Sequence, residues 1–388
     1  MRAELPLVPV GGPALRGCLP RTTGTGRRPP SGAALRTLPG APARLPPTLI
    51  RRSPSAHARV RGRSTGRPYP RPVTTLSVIV PCYNVSAYIA DTVAGLVNNA
   101  RDDFEFIFVE DRSTDDTFEA LTALTRSLPN SAVVRHEENR GLASARNTGI
   151  DRADGRLITF LDGDDWLGRG HLAALVEAID RLGVDFVRTD HVQVTGFQRS
   201  LQRAPEGRRD TPLDPRSSIL PVGESSMVDY PYAWAGVYDA SLLDRGMLRF
   251  TDGLRTAEDR PWIWQLHRNA ESYAVASLHQ VFYRRGVAGS LTQIGDVRQL
   301  DFVKAFDQVL AELADDPQAD LLIPKAVRGY CVVIAHQLRD RRRFSRSVAR
   351  ELKALTGGAL RRIPEAELER ALAGLDDERR TIIRKAAA

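Results

Sequence analysis

Hydrophobic positions follow two alternating rhythms between residues 76 and 189. Short runs rich in β-branched and aromatic residues occur at 76–80, 104–109, 132–135, 157–161 and 184–189. Their length and composition predict buried strands. Between them, apolar residues recur three and four apart: Ile89, Val93, Leu96 and Val97, then Leu172, Leu175, Val176, Ile179 and Leu182. That spacing predicts amphipathic helices, and a small-residue helix ends near Ile150. Ser86 is placed to cap the first helix. Ser113 or Thr114 is placed to cap the second, with Asp115 and Asp116 in its first turn, where carboxylates oppose the dipole's positive end. Strand–helix alternation predicts an α/β fold with a mostly parallel, helix-flanked sheet.

The polar residues gain meaning from this frame. Tyr83-Asn84, Glu110-Asp111, Asn139-Arg140 and Asp162-Gly-Asp-Asp165 each follow a predicted strand directly. Ligands of open parallel sheets bind outside the carboxyl ends of the strands. Four such clusters therefore converge on one sheet edge, which argues for a site rather than for four solvated turns. Three carboxylates within four residues repel one another unless a cation lies between them. Mg²⁺ characteristically takes one or two carboxylates together with substrate phosphates. Gly163 is expected to let backbone approach a bulky ligand.

From 192 to 225 the periodicity breaks, predicting a long loop. An aromatic cluster follows at Tyr230, Tyr232, Trp234 and Tyr238, and then Glu258-Asp259 opens a segment containing Trp262 and Trp264. Aromatic faces near a carboxylate suit a sugar-binding wall, which assigns Trp234, Glu258 and Trp262 to an acceptor. Residues 275–285 read as one strand ending in Arg284-Arg285, a candidate phosphate clamp, before Gly289-Ser-Leu-Thr292. Beyond 297 the pattern is helical, through Phe302, Phe306, Val309 and Leu313 and then 327–338, 348–355 and 368–375. This helical region is expected to pack on the preceding domain.

Charge changes the picture at the N-terminus. The chain has 388 residues and a net charge of +8, but residues 1–72 hold 14 Arg, no Lys and the single acid Glu4, leaving −5 for 73–388. With 14 of the 25 prolines and no sustained periodicity, 1–72 is expected to be disordered and inert. It lacks the apolar core of a secretory signal. The acidic remainder excludes nucleic acid as a partner, since phosphate binding needs clustered cations. Three scattered cysteines suggest neither a disulfide framework nor a zinc site, which fits a reducing, cytoplasmic setting. No run reaches the ~18–20 apolar residues that span a bilayer, so membrane contact is expected to be peripheral, at the inner face.

Taken in order, Val80-Pro-Cys-Tyr-Asn84, Glu110-Asp-Arg-Ser-Thr-Asp115, Asn139-Arg-Gly-Leu-Ala-Ser-Ala-Arg-Asn-Thr-Gly149, Phe160-Leu-Asp-Gly-Asp-Asp165 and Glu258-Asp259 resemble the family 2 glycosyltransferases of GT-A fold. The resemblance covers about 75–295. It implies a Rossmann-like GT-A domain at 73–296 with a helical region at 297–388. It also implies a nucleotide-diphospho-sugar donor, Mn²⁺ or Mg²⁺, inversion at the anomeric carbon, and a glycan or polyol of the cell envelope as acceptor. Carried over by position, Pro81 would line the base pocket with Tyr83 and Asn84, and Asp111 would bond the nucleobase. Arg146 is assigned to the donor site, together with the Arg284-Arg285 clamp read from the residues above. Asp162 would meet ribose and metal, Asp164 would be the principal metal ligand, and Asp259 the base. Arg112 replaces the Asn or Asp that the family often carries. The Gln-x-x-Arg-Trp motif of processive synthases is absent, which favours single-sugar transfer. A nucleotidyltransferase would want a Gly-rich loop with Lys or Arg after the first strand, where this chain has Pro-Cys-Tyr-Asn. A silent nucleotide-sugar-binding protein would not need Asp162, Asp164 and Asp259 together.

Removing residues 1–72 is expected to leave folding and donor hydrolysis unchanged. Loss of a cooperative melting transition in the shortened protein would refute this.

Overall fold

The computed structural model describes residues 74–287, 291 and 294–388. The disorder expected of 1–72, and the turn residues Gly289, Ser290 and Thr292, lie outside the described residues. In chain order the strands are β1 (Leu76–Cys82), β2 (Phe104–Glu110), β3 (Ser131–Arg135), β4 (Leu157–Phe160), β5 (Trp166–Leu167), β6 (Phe186–Thr189), β7 (His191–Thr195), β8 (Gln198–Gln202), β9 (Gly236–Asp239), β10 (Tyr273–Ala276) and β11 (Val281–Arg285). The helices are α1 (Ile89–Val97), α2 (Thr117–Leu124), α3 (Leu142–Arg152), α4 (His171–Leu182), α5 (Ser241–Asp244), α6 (Asp259–Asn269), α7 (Asp301–Ala314), α8 (Ala319–Arg339), α9 (Arg346–Arg362), α10 (Glu365–Ala373) and α11 (Asp377–Ala387).

Seven strands form the main sheet in the order β10-β6-β9-β4-β1-β2-β3. β1 pairs in parallel with β2 and β4, and β2 with β3, so four strand ends emerge on one edge. Every residue of β1 is buried, as a central strand covered on both faces requires. Only β9 runs antiparallel, wedged between β4 and β6. Its Gly236 carbonyl accepts a 2.7 Å bond from the buried Thr159 hydroxyl.

A second sheet, β5-β11-β7-β8, corrects two expectations. The loop predicted from 192 begins as the β7–β8 hairpin. Its signal was hidden because β8 is an edge strand with exposed residues along nearly its whole length. The strand predicted over 275–285 is two strands in different sheets, β10 beside β6 and β11 beside β7.

The predicted caps also move. Ser86 does not cap α1; its amide and hydroxyl both donate to Asp115 Oδ2, at 3.1 and 2.7 Å. Asp115 Oδ1 accepts from the Thr117 amide that opens α2, so Asp115 takes the capping bond expected of Ser113 or Thr114. One carboxylate thereby ties the starts of two helices.

Among the described residues two large hydrophobic clusters lie around the main sheet and among the last helices, with a third, small one at Ile107, Val109 and Ala145. α7 serves both: Val309 and Leu313 belong to the first, Phe302, Val303 and Phe306 to the second. Among the described residues no helix is long and apolar enough to cross a membrane.

Gly236 leaves no room for a side chain, because an added Cβ would lie 2.3 Å from the Val187 carbonyl oxygen on β6. Gly236→Ala must spread two paired strands and is expected to destabilise the protein by about 1–3 kcal/mol in chemical denaturation. An unchanged midpoint would contradict this packing.

Candidate active site

The site is built on the edge where β1, β2, β3 and β4 end. At β1, Pro81 is buried in the sheet and Tyr83 is 40% exposed. Asn84 has φ of 54° and accepts a 2.8 Å bond from the Thr114 amide, joining the turns after β1 and β2.

Asp111 is almost fully buried, and its own chain occupies both oxygens. Oδ1 accepts from the Arg140 amide at 2.8 Å and lies 2.6 Å from His136 Nδ1. Oδ2 accepts from the Gly141 amide at 2.7 Å and the Asn139 side chain at 2.9 Å. A carboxylate offers about four acceptor positions, and four are filled here. The direct nucleobase contact expected of Asp111 therefore has no acceptor left. Asp111 instead holds the turn 139–141 in place, assisted by Arg255, whose Nη1 donates to Asn139 Oδ1 at 2.7 Å. His136 was missed from sequence, although it follows β3 as the other polar residues follow their strands; its Nε2 lies 2.9 Å from the Thr148 hydroxyl.

Arg146 projects from α3 and is almost completely buried. Its Nη2 donates to Asp162 Oδ1 at 2.9 Å and its Nη1 to Glu258 Oε1 at 2.8 Å. Rather than standing free for a donor, Arg146 couples two acidic motifs 96 residues apart in the chain. Glu258 thus faces Arg146, not an acceptor. Next to it, Asp259 is half-buried in the first turn of α6, where the dipole favours carboxylates. Burial raises the pKa of both carboxyls, while Arg146 opposes this at Glu258, and Arg260 with Arg146 at Asp259.

The turn after β4 presents Asp162 and Asp164. Burial, then the charge of Asp162, pushes the Asp164 carboxyl up to about 6, with Arg284 opposing. Arg284 Nε binds the Asp164 carbonyl at 2.9 Å, leaving the carboxylate itself to the site. Asp165 points inward and accepts from the Arg284 amide at 2.7 Å, with Oδ2 buried and without a hydrogen-bond partner. Among the described residues no set of three or more His, Cys, Asp or Glu side chains could hold a metal alone. Two crowded, desolvated carboxylates still fit a hard divalent cation whose remaining ligands are phosphate and water oxygens. Gly163 serves a different purpose from the one expected: a Cβ there would meet Cys82 Sγ and the Pro81 carbonyl, both at 3.1 Å. The close approach is to β1, not to a ligand.

The paired-arginine clamp is also corrected. Neighbouring residues of a strand point to opposite faces. Arg284 lies over Trp166 and Tyr88 and donates to Asp91 Oδ2 at 2.9 Å, which commits it to the fold. Arg285 turns the other way, its Nη1 donating to the Tyr283 hydroxyl at 3.1 Å.

The expected aromatic wall is mostly core. Trp262 is 2% exposed, stacks on Phe250 at 5.2 Å and donates Nε1 to the Leu248 carbonyl at 3.1 Å. Trp234 is 3% exposed beneath Tyr232, with ring centroids 4.8 Å apart. Burying two large rings stabilised more surface than displaying them would, which the sequence pattern could not reveal. Tyr232 remains half-buried, with its hydroxyl in the fields of Arg260, Asp259 and Arg285.

Residues 77–234 match the family described as Glycosyl transferase family 2. The glycosyltransferase EpsJ of Bacillus subtilis is 29% identical over 224 residues, 57% of this chain and 64% of its own length. The poly(ribitol-phosphate) beta-N-acetylglucosaminyltransferase TarS of Staphylococcus aureus is 25% identical over 242 residues, 61% of this chain and 40% of its own. The chain thus spans between 40% and 64% of the length of these relatives. The crystal structure of TarS 1–349 with UDP-GlcNAc superimposes with a TM-score of 0.62 at 21% identity, over 80% of this chain and 91% of that one. That likeness establishes the GT-A fold.

The raised Asp164 pKa fixes a pH dependence. Folding then favours the protonated carboxyl, so its contribution is fully present below about pH 4 and is lost as pH rises through about 6. Asp164→Asn should therefore stabilise the metal-free protein at pH 7 by on the order of 1–3 kcal/mol, and not at pH 4. Urea unfolding in chelator at both pH values checks this. Equal gains at the two would sever the effect from ionisation.

Proposed function

Because the chain carries a glycosyl transferase family 2 domain over residues 77–234, we propose that it moves one sugar from a nucleotide-diphospho-sugar to a hydroxyl of a cell-envelope glycan or polyol. A UDP-sugar is the favoured donor and inversion the stereochemical outcome. The observation that carries this reading is the Arg146 bridge, with 2.9 Å to Asp162 and 2.8 Å to Glu258. It ties the acidic turn that suits a divalent cation to Glu258, the residue directly before the proposed base Asp259.

Pro81, Tyr83 and Asn84 frame the nucleoside pocket, with the half-exposed Tyr83 ring as a stacking surface. The turn 139–141 closes it, held from beneath by Asp111. Asp162 and Asp164 would hold Mn²⁺ or Mg²⁺, which when bound neutralises the departing diphosphate. Asp259 accepts the proton of the acceptor hydroxyl as that oxygen displaces the diphosphate at the anomeric carbon. A carboxyl raised by burial toward the working pH is suited to that transfer. One base and one displacement give inversion without a covalent intermediate. The poly(ribitol-phosphate) named for TarS supports a cell-envelope polymer as the class of acceptor.

Asp259→Asn is expected to keep the fold and donor affinity while single-turnover transfer falls about 10²–10⁴-fold. Donor affinity is read first, by thermal shift with UDP-, GDP- and CDP-sugars with and without Mn²⁺. Near-normal turnover would move the base elsewhere. Joint loss of donor affinity and turnover would place Asp259 in the binding site instead.

A further inference from the structure

We propose that the outer face of the second sheet is a docking surface for an anionic lipid bilayer, with Phe197 entering the headgroup layer and Arg169 and Arg199 bound to lipid phosphates. This attachment is independent of which carboxylate serves as the base.

Strand register builds the face. Trp166, Phe282, Val192 and Leu201 occupy paired positions across β5, β11, β7 and β8. Directly paired residues share a face, so the four form one apolar row across the whole sheet. The Trp166 and Phe282 rings stack 5.2 Å apart. Tyr283, the next residue of β11, turns to the opposite face, its ring 5.2 Å from that of the buried Trp234. The Tyr283 face is therefore turned to the interior and the Trp166 row outward. Leu201 is 46% exposed, and Trp166, Phe282 and Val192 each keep part of their surface in water.

Cations border the row. Arg169, Arg199 and His279 line a groove of about 600 Å³ together with Val192, Leu201 and Phe282, and no carboxylate among the described residues lines it. The Arg199 guanidinium lies 5.5 Å from the centre of the Phe282 ring. Among the described residues neither Arg169 nor Arg199 has a hydrogen bond or ion pair. β7 and β8 are joined by a two-residue turn, Gly196-Phe197, and the Phe197 side chain at this tip is fully exposed. A solvated ring adds nothing to the core, whereas in a headgroup layer it leaves water.

Charge selects the occupant. The Arg-rich segment 1–72 has the same sign as the groove and would be repelled. A second copy seated face to face would set the same cations opposite one another. A bilayer offers phosphates at one depth and hydrocarbon just below, which matches a cationic border and a projecting ring. Trp166 directly follows Asp165, so the face begins where the acidic turn ends. Docking there would bring the transfer site to the lipid surface.

The probe is a vesicle of mixed phosphatidylglycerol and phosphatidylcholine, with pure phosphatidylcholine as the neutral control. The full chain is used. Residues 1–72 add their own attraction to anionic lipid, so the decisive reading is local: the emission of Phe197→Trp with lipids brominated near the headgroup. On mixed vesicles that emission should shift to the blue and be quenched beyond the background set by the unchanged protein's own tryptophans. On neutral vesicles neither should occur. Arg169→Gln and Arg199→Gln should each weaken partition about fivefold. Phe197→Ser should weaken it about tenfold or more, with the melting transition in solution unchanged. Sedimentation with vesicles but no added quenching at position 197 would mean that the N-terminal segment alone holds the lipid, and would overturn the proposal. So would no binding at all, partition indifferent to the three substitutions, or equal quenching on neutral vesicles. A blue shift at position 197 that grows with protein concentration in the absence of lipid would make the face a contact between copies instead.

Discussion

The buried guanidinium of Arg146 is the constraint around which the site is arranged. It lies 5.0 Å above the Phe250 ring and joins α3, the turn after β4 and the residue preceding α6. Removing one partner of such a buried pair typically costs about 3–5 kcal/mol, because the remaining charge is left without water or counter-ion. Neither acidic motif can therefore move independently of the other. The distance between the metal-suited turn and Asp259 is thus set by packed secondary structure rather than by loop flexibility.

The loops around this hub are held in conformations that they would not adopt alone. Asn84, Arg112 and Ala257 all have positive φ, at 54°, 60° and 58°. Asn tolerates that region, but Arg and Ala resist it, at about 1–2 kcal/mol each. Such strain persists only where neighbours over-determine the backbone. Asp111 and the Asn84–Thr114 bond do so after β1 and β2, and the Arg146–Glu258 pair does so next to Ala257.

Charge is partitioned by simple geometry. Carboxylates gather where parallel strands end, since that edge exposes backbone groups and space. The cations are divided between duties within the fold and the open site. Arg146, Arg188 and Arg284 are fastened inside the protein, whereas Arg285 turns to the Tyr283 hydroxyl and Arg260 follows Asp259 in the first turn of α6. The alternation of β11 alone separates Arg284 from Arg285.

Much of this was legible in the residue order. Strongly apolar runs such as 76–80 and 104–109 could only be buried strands, and their parallel pairing placed every polar cluster that followed them on one edge. Helical spacing likewise located α4 and α7. These features depend on local periodicity and on neighbours in the chain. Features that depend on distant partners were not legible. Whether Trp234 and Trp262 face solvent or core, whether Asp111 has an oxygen to spare, and whether Gly163 admits a ligand or β1 were all decided by side chains far away in sequence. The edge strand β8 was hidden for a related reason, since a strand paired on one side only carries no apolar alternation. Sequence alone determined which residues reach the site's edge; tertiary packing decided which of them remain free there, because a hydrogen bond or a buried face consumed inside the protein is no longer available to a substrate.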